Sequence, residues 1–380
     1  MTKMKPTPAA ALNSLLERAK KRDVSYDRIF SSMCTPPHPV AVRAHMKFIE
    51  ANLGDYTLFP GTKSLEDAVI FMLGSFLHCQ SVSGYLTTGG TESNIQAIHA
   101  FRNIAKTKNP NIVVPDSAHF SFDKISDILK VEVRRTALDR YFRADVGAME
   151  KMIDDNTVAL VGIAGTTEFG QIDPIEEIAE LTLEHGIPMH VDAAFGGFVI
   201  PFLEKKYRFD FEVKGVSSIT IDPHKMGMST IPSGCLLFRD KKYLDALKIQ
   251  IPYLVTKEQY SLSGTRSGAS AAATYAVLRH LGWSGMKKVV DGCMEMTELL
   301  VDRISGVGVY PVIPPVMNVV VLDIANPERV VEELAKKGWK VSVPRRPNSI
   351  RLIIMPHVKK SGIMLFLKDF LGVLQSTGVE

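Results

Sequence analysis

His190-Val-Asp-Ala-Ala-Phe-Gly-Gly197 closes a short apolar run, Pro188-Met-His-Val-Asp192, and passes directly into small residues and glycines. An acid at the end of a strand, followed by residues without bulk, leaves room for a flat ligand beside a carboxylate. The same punctuation recurs on both sides. Val158-Ala-Leu-Val-Gly-Ile163 leads to Thr166 and Thr167, and Ser218-Ile-Thr-Ile-Asp222 leads to Pro223, His224 and Lys225. Helical spacing over Pro174–His185 separates two of these runs, and further strand-like runs stand at Ile112–Pro115 and Gly234–Phe238. The alternation predicts an α/β fold with a mainly parallel central sheet covered by helices on both faces. Ligands of such sheets bind beyond the carboxyl ends of the strands, so the polar residues gathered there predict a single site.

Working outward, Leu12, Leu15 and Leu16 have helical spacing and precede the proline-dense loop Cys34-Thr-Pro-Pro-His-Pro39, which predicts an N-terminal helical arm over residues 1–58. A buried helix is expected from Ser64, with Asp67 three residues on as a capping pair. The large domain is expected to cover 59–282, ending with the small-residue helix Ser267–Leu281. Residues 283–380, with short strands at Val319–Leu322, Trp339–Val343 and Ile350–Met355, predict a small α+β domain.

Composition limits the function. The chain has 380 residues, 46% hydrophobic and 23% charged, which fits an ordinary folded protein rather than a disordered or fibrous one. Its net charge of +4, from 45 basic and 41 acidic residues, is scattered, so a nucleic-acid surface is not expected. The cysteines Cys34, Cys79, Cys235 and Cys293 form no CxxC pair, and no metal site is expected. The N-terminal segment turns polar too early for a secretory core and no apolar run reaches membrane-spanning length, so a soluble cytoplasmic protein is the expectation.

Three features carry chemistry. Thr87-Thr-Gly-Gly-Thr-Glu-Ser-Asn94 passes from a glycine turn into a helix, whose first N–H groups and positive end suit a phosphate. It lacks the lysine of a nucleotide P-loop, so a monophosphate fits better. Asp192 stands second, and Lys225, after an apolar strand, third. Taken singly they could be a helix cap, a surface acid and a surface lysine. In this order they match the demands of pyridoxal phosphate: an anchored phosphate, a carboxylate that keeps the ring nitrogen protonated, and an amine that forms a Schiff base. Thr167 and Asp222 join the candidate site by their strand-end positions.

The segments TTGGTESN (87–94), SAHFSFDK (117–124), HVDAAFGG (190–197), DPHKMG (222–227) and LSGTRSG (262–268) resemble the fold-type I, group II pyridoxal-phosphate decarboxylases, and within them the archaeal L-tyrosine/L-aspartate decarboxylases. The resemblance spans Phe59 to Pro356. It implies that Gly90 and Thr91 bind phosphate, His119 stacks on one face of the ring, Ala194 contacts the other, and Asp192 pairs with the pyridine nitrogen. His224 would reach the phosphate and Lys225 would carry the cofactor. Ser263, Gly264 and Thr265 resemble the loop that completes the phosphate site of a neighbouring subunit, which implies a homodimer with a shared active site. Arg351 resembles the family's substrate arginine, its alternative being an edge-strand surface charge.

The reaction so implied is decarboxylation of L-tyrosine to tyramine, for methanofuran, or of L-aspartate to β-alanine, for coenzyme A, or of both. Tyr253 and Tyr260 are candidate acids for reprotonation at Cα, and Phe59, with Leu58, Pro60 and the Ser32–His38 loop, is a candidate lining of the substrate pocket. The alternatives are a carbon–carbon lyase resembling the sphingosine phosphate lyases, which needs a second phosphate site, and a cofactor-binding protein without turnover.

Overall fold

Seven strands make the central sheet: β1 (Ser83–Thr87), β2 (Asn111–Pro115), β3 (Glu132–Thr136), β4 (Thr157–Ile163), β5 (Met189–Asp192), β6 (Val216–Ile221) and β7 (Gly234–Phe238). The computed structural model describes residues 8–345 and 348–377. Strand order is β1-β7-β6-β5-β4-β2-β3, and β7 runs antiparallel to both neighbours. The expected mainly parallel sheet with helices on both faces is what the chain forms.

The two-residue period of a strand explains the layers. Met189 and Val191 on β5, Ile219 and Ile221 on β6, and Cys235 and Leu237 on β7 point to one core. Residues of the helices Pro60–Phe76, Ile175–His185 and Gly268–Ser305 fill that core. Leu236 and Phe238 on β7 and Val161 and Ile163 on β4 point the other way, under the helices Gly90–Ala105 and Ser121–Leu129. On β5 the residues facing this second layer are polar, His190 and Asp192, and they are buried. The carboxyl ends of β4, β5 and β6 lie side by side, with Ile163 opposite Asp192 and Asp192 opposite Thr220.

A third core lies mostly C-terminal. It holds Val320, Leu322, Ile350, Leu352, Phe366 and Phe370, built on the antiparallel pair Val319–Asp323 and Ser349–Ile353 and the helix Lys360–Thr377. The helix Gly268–Ser305 bends at Gly282, whose φ of 56° and ψ of −166° are open only to a residue without a Cβ. Beyond the bend Met286, Val290 and Cys293 still enter the first core, and Leu300 and Ile304 enter the third. Among the described residues no helix is long and apolar enough to cross a membrane.

Several local expectations need correction. β1 and β3 were not expected from sequence: β1 reads SGYLT, poor in β-branched residues, and β3 reads EVRRT, with arginines tolerated because it is an edge strand. The helix expected from Ser64 starts at Pro60, at its first position, and no side chain caps it. Ser64 Oγ donates to Gly61 O, and Asp67 pairs with Lys63 instead of capping. Trp339–Val343 makes only isolated bridges, Lys340 to Ile29 and Ser342 to Arg351. The N-terminal helix forms over Ala9–Lys20 with no buried residue, while Phe30 of the following segment inserts into the C-terminal core against Trp339 and Phe366.

Candidate active site

A cavity of about 320 Å³ opens at the carboxyl ends of β4, β5 and β6. Its wall takes Gly90, Thr91 and Asn94 from the helix Gly90–Ala105, His119 and Phe120 from the turn after β2, and Thr167 from the turn after β4. Asp192, Ala194 and Phe195 come from the end of β5, and Asp222, His224 and Lys225 from the turn after β6. Met33 reaches it from the N-terminal segment.

The helix start is an anion cradle by construction. Gly89 has φ of 150°, no side chain caps the helix, and the next residue, Gly90, has no room for a larger one: a Cβ there would stand 3.1 Å from both Ala194 Cβ and Asp222 Oδ2. Glu92 instead turns back, its Oε2 accepting from Thr88 N–H and Oγ at 2.8 Å each, which shapes the turn.

Asp192 is 6% exposed. Its Oδ1 accepts from Ala194 N–H at 3.1 Å and its Oδ2 from Asn94 Nδ2 at 2.8 Å. Lys225 Nζ lies 3.2 Å from Asp222 Oδ2, and Asp222 Oδ1 is buried without a hydrogen-bond partner. A hydrogen bond from Lys225 N–H to Asp222 O closes the turn that carries the lysine. Asp222, a candidate by its strand-end position, is thus the counter-ion of the amine.

The histidines differ. His224 Nδ1 donates to Ser233 O at 2.5 Å, which turns its Nε2 toward Asp222. Burial works against its charged form, but hydrogen bonds to Cys34 and Ser233 and the charge of Asp222 hold its imidazole above the ordinary value. Burial pushes the His119 imidazole down, with Lys225 adding to the effect and Asp192 opposing it. Its Nδ1 accepts from Ser121 N–H at 3.2 Å, which fixes the ring. Cys34, given no role by its sequence, adjoins His224. Burial raises its thiol, but the contacts with His224 and the charge of Lys225 outweigh this and leave it lowered.

The structure thus gathers Gly90, Thr91, His119, Thr167, Asp192, Ala194, Asp222, His224 and Lys225 around one cavity. It does not bring the remaining candidates there. Tyr253 is 84% exposed. Tyr260 donates to Glu258 Oε1 at 3.0 Å and lines a separate cavity with Tyr85, Glu66 and Arg266. Ser263, Gly264 and Thr265 also lie outside the lining, with Gly264 O accepting from Gln259 at 3.0 Å. Phe59 sits at the start of the helix Pro60–Phe76, outside the cavity lining.

Arg351 is no exposed edge charge: it is part-buried, with Nε donating to Ser342 Oγ at 3.1 Å, one terminal nitrogen to Thr167 O at 2.5 Å and the other to Ser31 O at 3.2 Å. It stands behind the cavity wall at Thr167. Sequence reasoning passed over Asn94, His190, Ser218 and Thr220, which share the space behind Asp192. The signal was present, since His190 and Asp192 have one strand parity and Asn94 follows Gly90 by one helical turn.

Comparison with known proteins agrees with this geometry. A profile described as the pyridoxal-dependent decarboxylase conserved domain matches residues 33–321. The chain is 57% identical over 365 residues to a probable L-tyrosine/L-aspartate decarboxylase of Methanothrix thermoacetophila, covering 96% of this chain and 95% of that one. It is 52% identical over 360 residues to a probable L-aspartate decarboxylase of Archaeoglobus fulgidus, covering 95% and 98%. Among solved structures, Lactobacillus brevis glutamate decarboxylase superposes with a TM-score of 0.91 at 19% identity, covering 99% of this chain and 94% of that one. A sphingosine-1-phosphate lyase of Burkholderia pseudomallei superposes with a TM-score of 0.90 at 23% identity, covering 99% and 92%. At these identities the superpositions speak for the fold alone.

Proposed function

The chain belongs to the pyridoxal-dependent decarboxylases, and from that premise we propose that it decarboxylates L-tyrosine, with L-aspartate as the second candidate substrate, at the cavity between Asp192 and Lys225. That it is a pyridoxal-phosphate-dependent amino-acid decarboxylase follows from family membership. The choice of substrate is the proposal. The residues around the cavity fit the cofactor: a glycine cradle at a helix start for its phosphate, a buried carboxylate for its ring nitrogen, and a lysine whose amine faces a buried acid. Once bound, the cofactor supplies an electron sink for the pair released from the Cα–carboxylate bond.

The protein's own residues would do the rest. Gly90 and Thr91 present N–H groups to phosphate, and His224 stands beside them. His119, whose imidazole burial pushes down, and Ala194 would flank the ring. Asp192 would hold a proton on the ring nitrogen by its charge. Arg351 would receive the substrate carboxylate: a guanidinium has five N–H donors, and its contacts to Ser342, Thr167 and Ser31 use three.

The observation that carries the choice of tyrosine is the wall itself. Met33 and Phe120 offer an apolar surface to an aromatic ring, whereas the β-carboxylate of aspartate requires a cation. Among the described lining residues Lys225, which would hold the cofactor, is the sole lysine and there is no arginine, and Arg351 behind the wall is assigned to the α-carboxylate, which leaves no second guanidinium for a β-carboxylate. We further propose a homodimer in which the exposed loop with Tyr253 and Ser263–Thr265 completes a second copy's cavity, Tyr253 returning the proton to Cα. The products would be tyramine, a precursor suited to methanofuran, or β-alanine, suited to coenzyme A, made in the cytoplasm.

The test is an assay of the cofactor-loaded protein with each amino acid, following amine product and carbon dioxide together. Tyramine formed with a higher kcat/KM than β-alanine is the expected result. Preference for aspartate would reverse the substrate assignment, and an aldehyde product without carbon dioxide would indicate lyase chemistry.

A further inference from the structure

Behind Asp192 lies a cluster of buried polar side chains, of which Asn94 reaches the cavity wall. Asn94 is 1% exposed, and His190, Ser218, Thr220 and Ser121 are 0% exposed. The sheet register creates it: His190 stands opposite Ser218 and Asp192 opposite Thr220 on adjacent parallel strands, so all four project to the same face. The helix Gly90–Ala105 crosses that face and lowers Asn94 into their midst.

The partners fix the direction of every hydrogen bond. An ionised carboxylate only accepts, so Asn94 must present its Nδ2 to Asp192 Oδ2, at 2.8 Å; its second hydrogen goes to Ser121 Oγ at 3.0 Å. Asn94 Oδ1 then faces two groups that must donate, Thr220 Oγ at 2.8 Å and His190 Nε2 at 3.0 Å. With its proton on Nε2, His190 accepts at Nδ1 from Ser218 Oγ at 2.7 Å. Burial pushes this imidazole down to about 4 even though Asp192 lies close enough to raise it, so it is neutral at physiological pH.

We propose that Asn94 is a positioning residue that acts through Asp192: a one-way relay that holds the Asp192 carboxylate in place while an amide separates it from His190. The relay rests on the functional reading above for its consequence, since the cofactor's ring nitrogen is the partner that Asp192 would face. Its logic is that of a proton insulator. A carboxylate hydrogen-bonded directly to an imidazole can share a proton with it. An amide donates a hydrogen bond without giving up its proton, so the proton associated with Asp192 can settle only on the cavity side. The donors at Asn94 and Ala194 each hold one oxygen of the carboxylate, leaving it fixed in orientation.

The titratable groups facing the cluster are Asp192 and His190 from β5, with His119, Asp222 and Lys225 across the cavity. The first measurement needs no substitution: nitrogen NMR of histidine-labelled, cofactor-free protein. His190 is expected to be neutral at pH 7 with its proton on Nε2; the opposite tautomer, or an imidazolium, would overturn the relay. The second uses Asn94→Asp, which places a carboxylate against His190 and is expected to raise its pKa by about two units or more; an unmoved His190 would count against the proposal. The third compares Asn94→Leu with Ser121→Ala. Asn94→Leu removes the hydrogen bond to Asp192 and is expected to weaken cofactor binding at least roughly tenfold, about the value of one charged hydrogen bond, and to shift the pH dependence of the cofactor's visible band. Ser121→Ala removes only the neighbouring bond, leaves the one to Asp192 in place, and is expected to weaken cofactor binding less than Asn94→Leu and to leave the pH dependence of the band unchanged. Equal behaviour of the two variants would reduce Asn94 to packing. If the unsubstituted protein bound no cofactor, the functional reading would fall, and the titration of His190 would still decide the relay.

Discussion

Asp192 and Tyr253 are secured in opposite ways. Asp192 is 6% exposed at the end of a central strand, with both oxygens hydrogen-bonded, whereas Tyr253 is 84% exposed on the loop between the short paired strands Ile249–Gln250 and Glu258–Gln259. A charge that must stay fixed while bonds change is built into the sheet, where neighbouring strands and a crossing helix hold it. A proton donor is needed only after carbon dioxide has left, and it can come from a loop or from another subunit. The same contrast separates Lys225, paired with Asp222, from Ser263–Thr265, which lie outside the cavity of their own chain. On the proposed reading, one half of the catalytic machinery is complete within a single chain, and the other half would be supplied by a second copy.

The sharpest way to break this division is at Tyr253. Tyr253→Phe is expected to lower kcat by about 10²–10⁴ while cofactor absorbance is retained. Mixing these chains with Lys225→Ala chains should then restore activity, because each mixed dimer has one cavity with Lys225 intact and a normal loop from the other chain. Activity that returns in no mixture would place the loop in its own chain's cavity, and an unchanged kcat would remove Tyr253 from the reaction.

Asp192→Asn tests the buried half. It keeps the shape and removes the charge, so kcat is expected to fall by about 10²–10³, the scale of one lost preorganised electrostatic contact. Near-normal turnover would mean that charge at this position is dispensable. Smaller still is Arg351→Ala, which should raise KM for the amino acid by roughly ten- to a hundredfold, corresponding to about 1.5–3 kcal/mol for a charged hydrogen bond, with little change in kcat. Because Arg351 also braces Thr167, Ser31 and Ser342, a lower Tm with unchanged KM would make it a structural tie between segments.

The legible parts of the chain were those where local pattern and tertiary role coincide. The apolar runs of β4, β5 and β6 announce buried parallel strands, and the polar residues at their ends announce a site. β1 and β3 were hidden because their edge positions permit serine, glycine and arginine where a central strand would show valine and isoleucine. Phe30 gave no warning that it would enter the C-terminal core, since its pairing with Trp339 and Phe366 depends on contacts more than 300 residues away in sequence. The site followed the same rule. Asp192, Lys225 and Gly90 stand out within short motifs, whereas the value of Asn94 and Ser218 depends on a register between strands and a helix crossing that no single segment encodes. Tyr253, 84% exposed, has a place in the proposed reaction only if a second copy of the chain brings a cavity to it.

The most direct test of the cofactor's attachment is reduction of the cofactor-loaded protein with borohydride, followed by peptide mapping. The added cofactor mass is expected on the peptide containing Lys225 and on no other lysine. Mass found on a different lysine, or none in protein that had shown the cofactor's visible band, would contradict the placement of the reaction between Asp192 and Lys225.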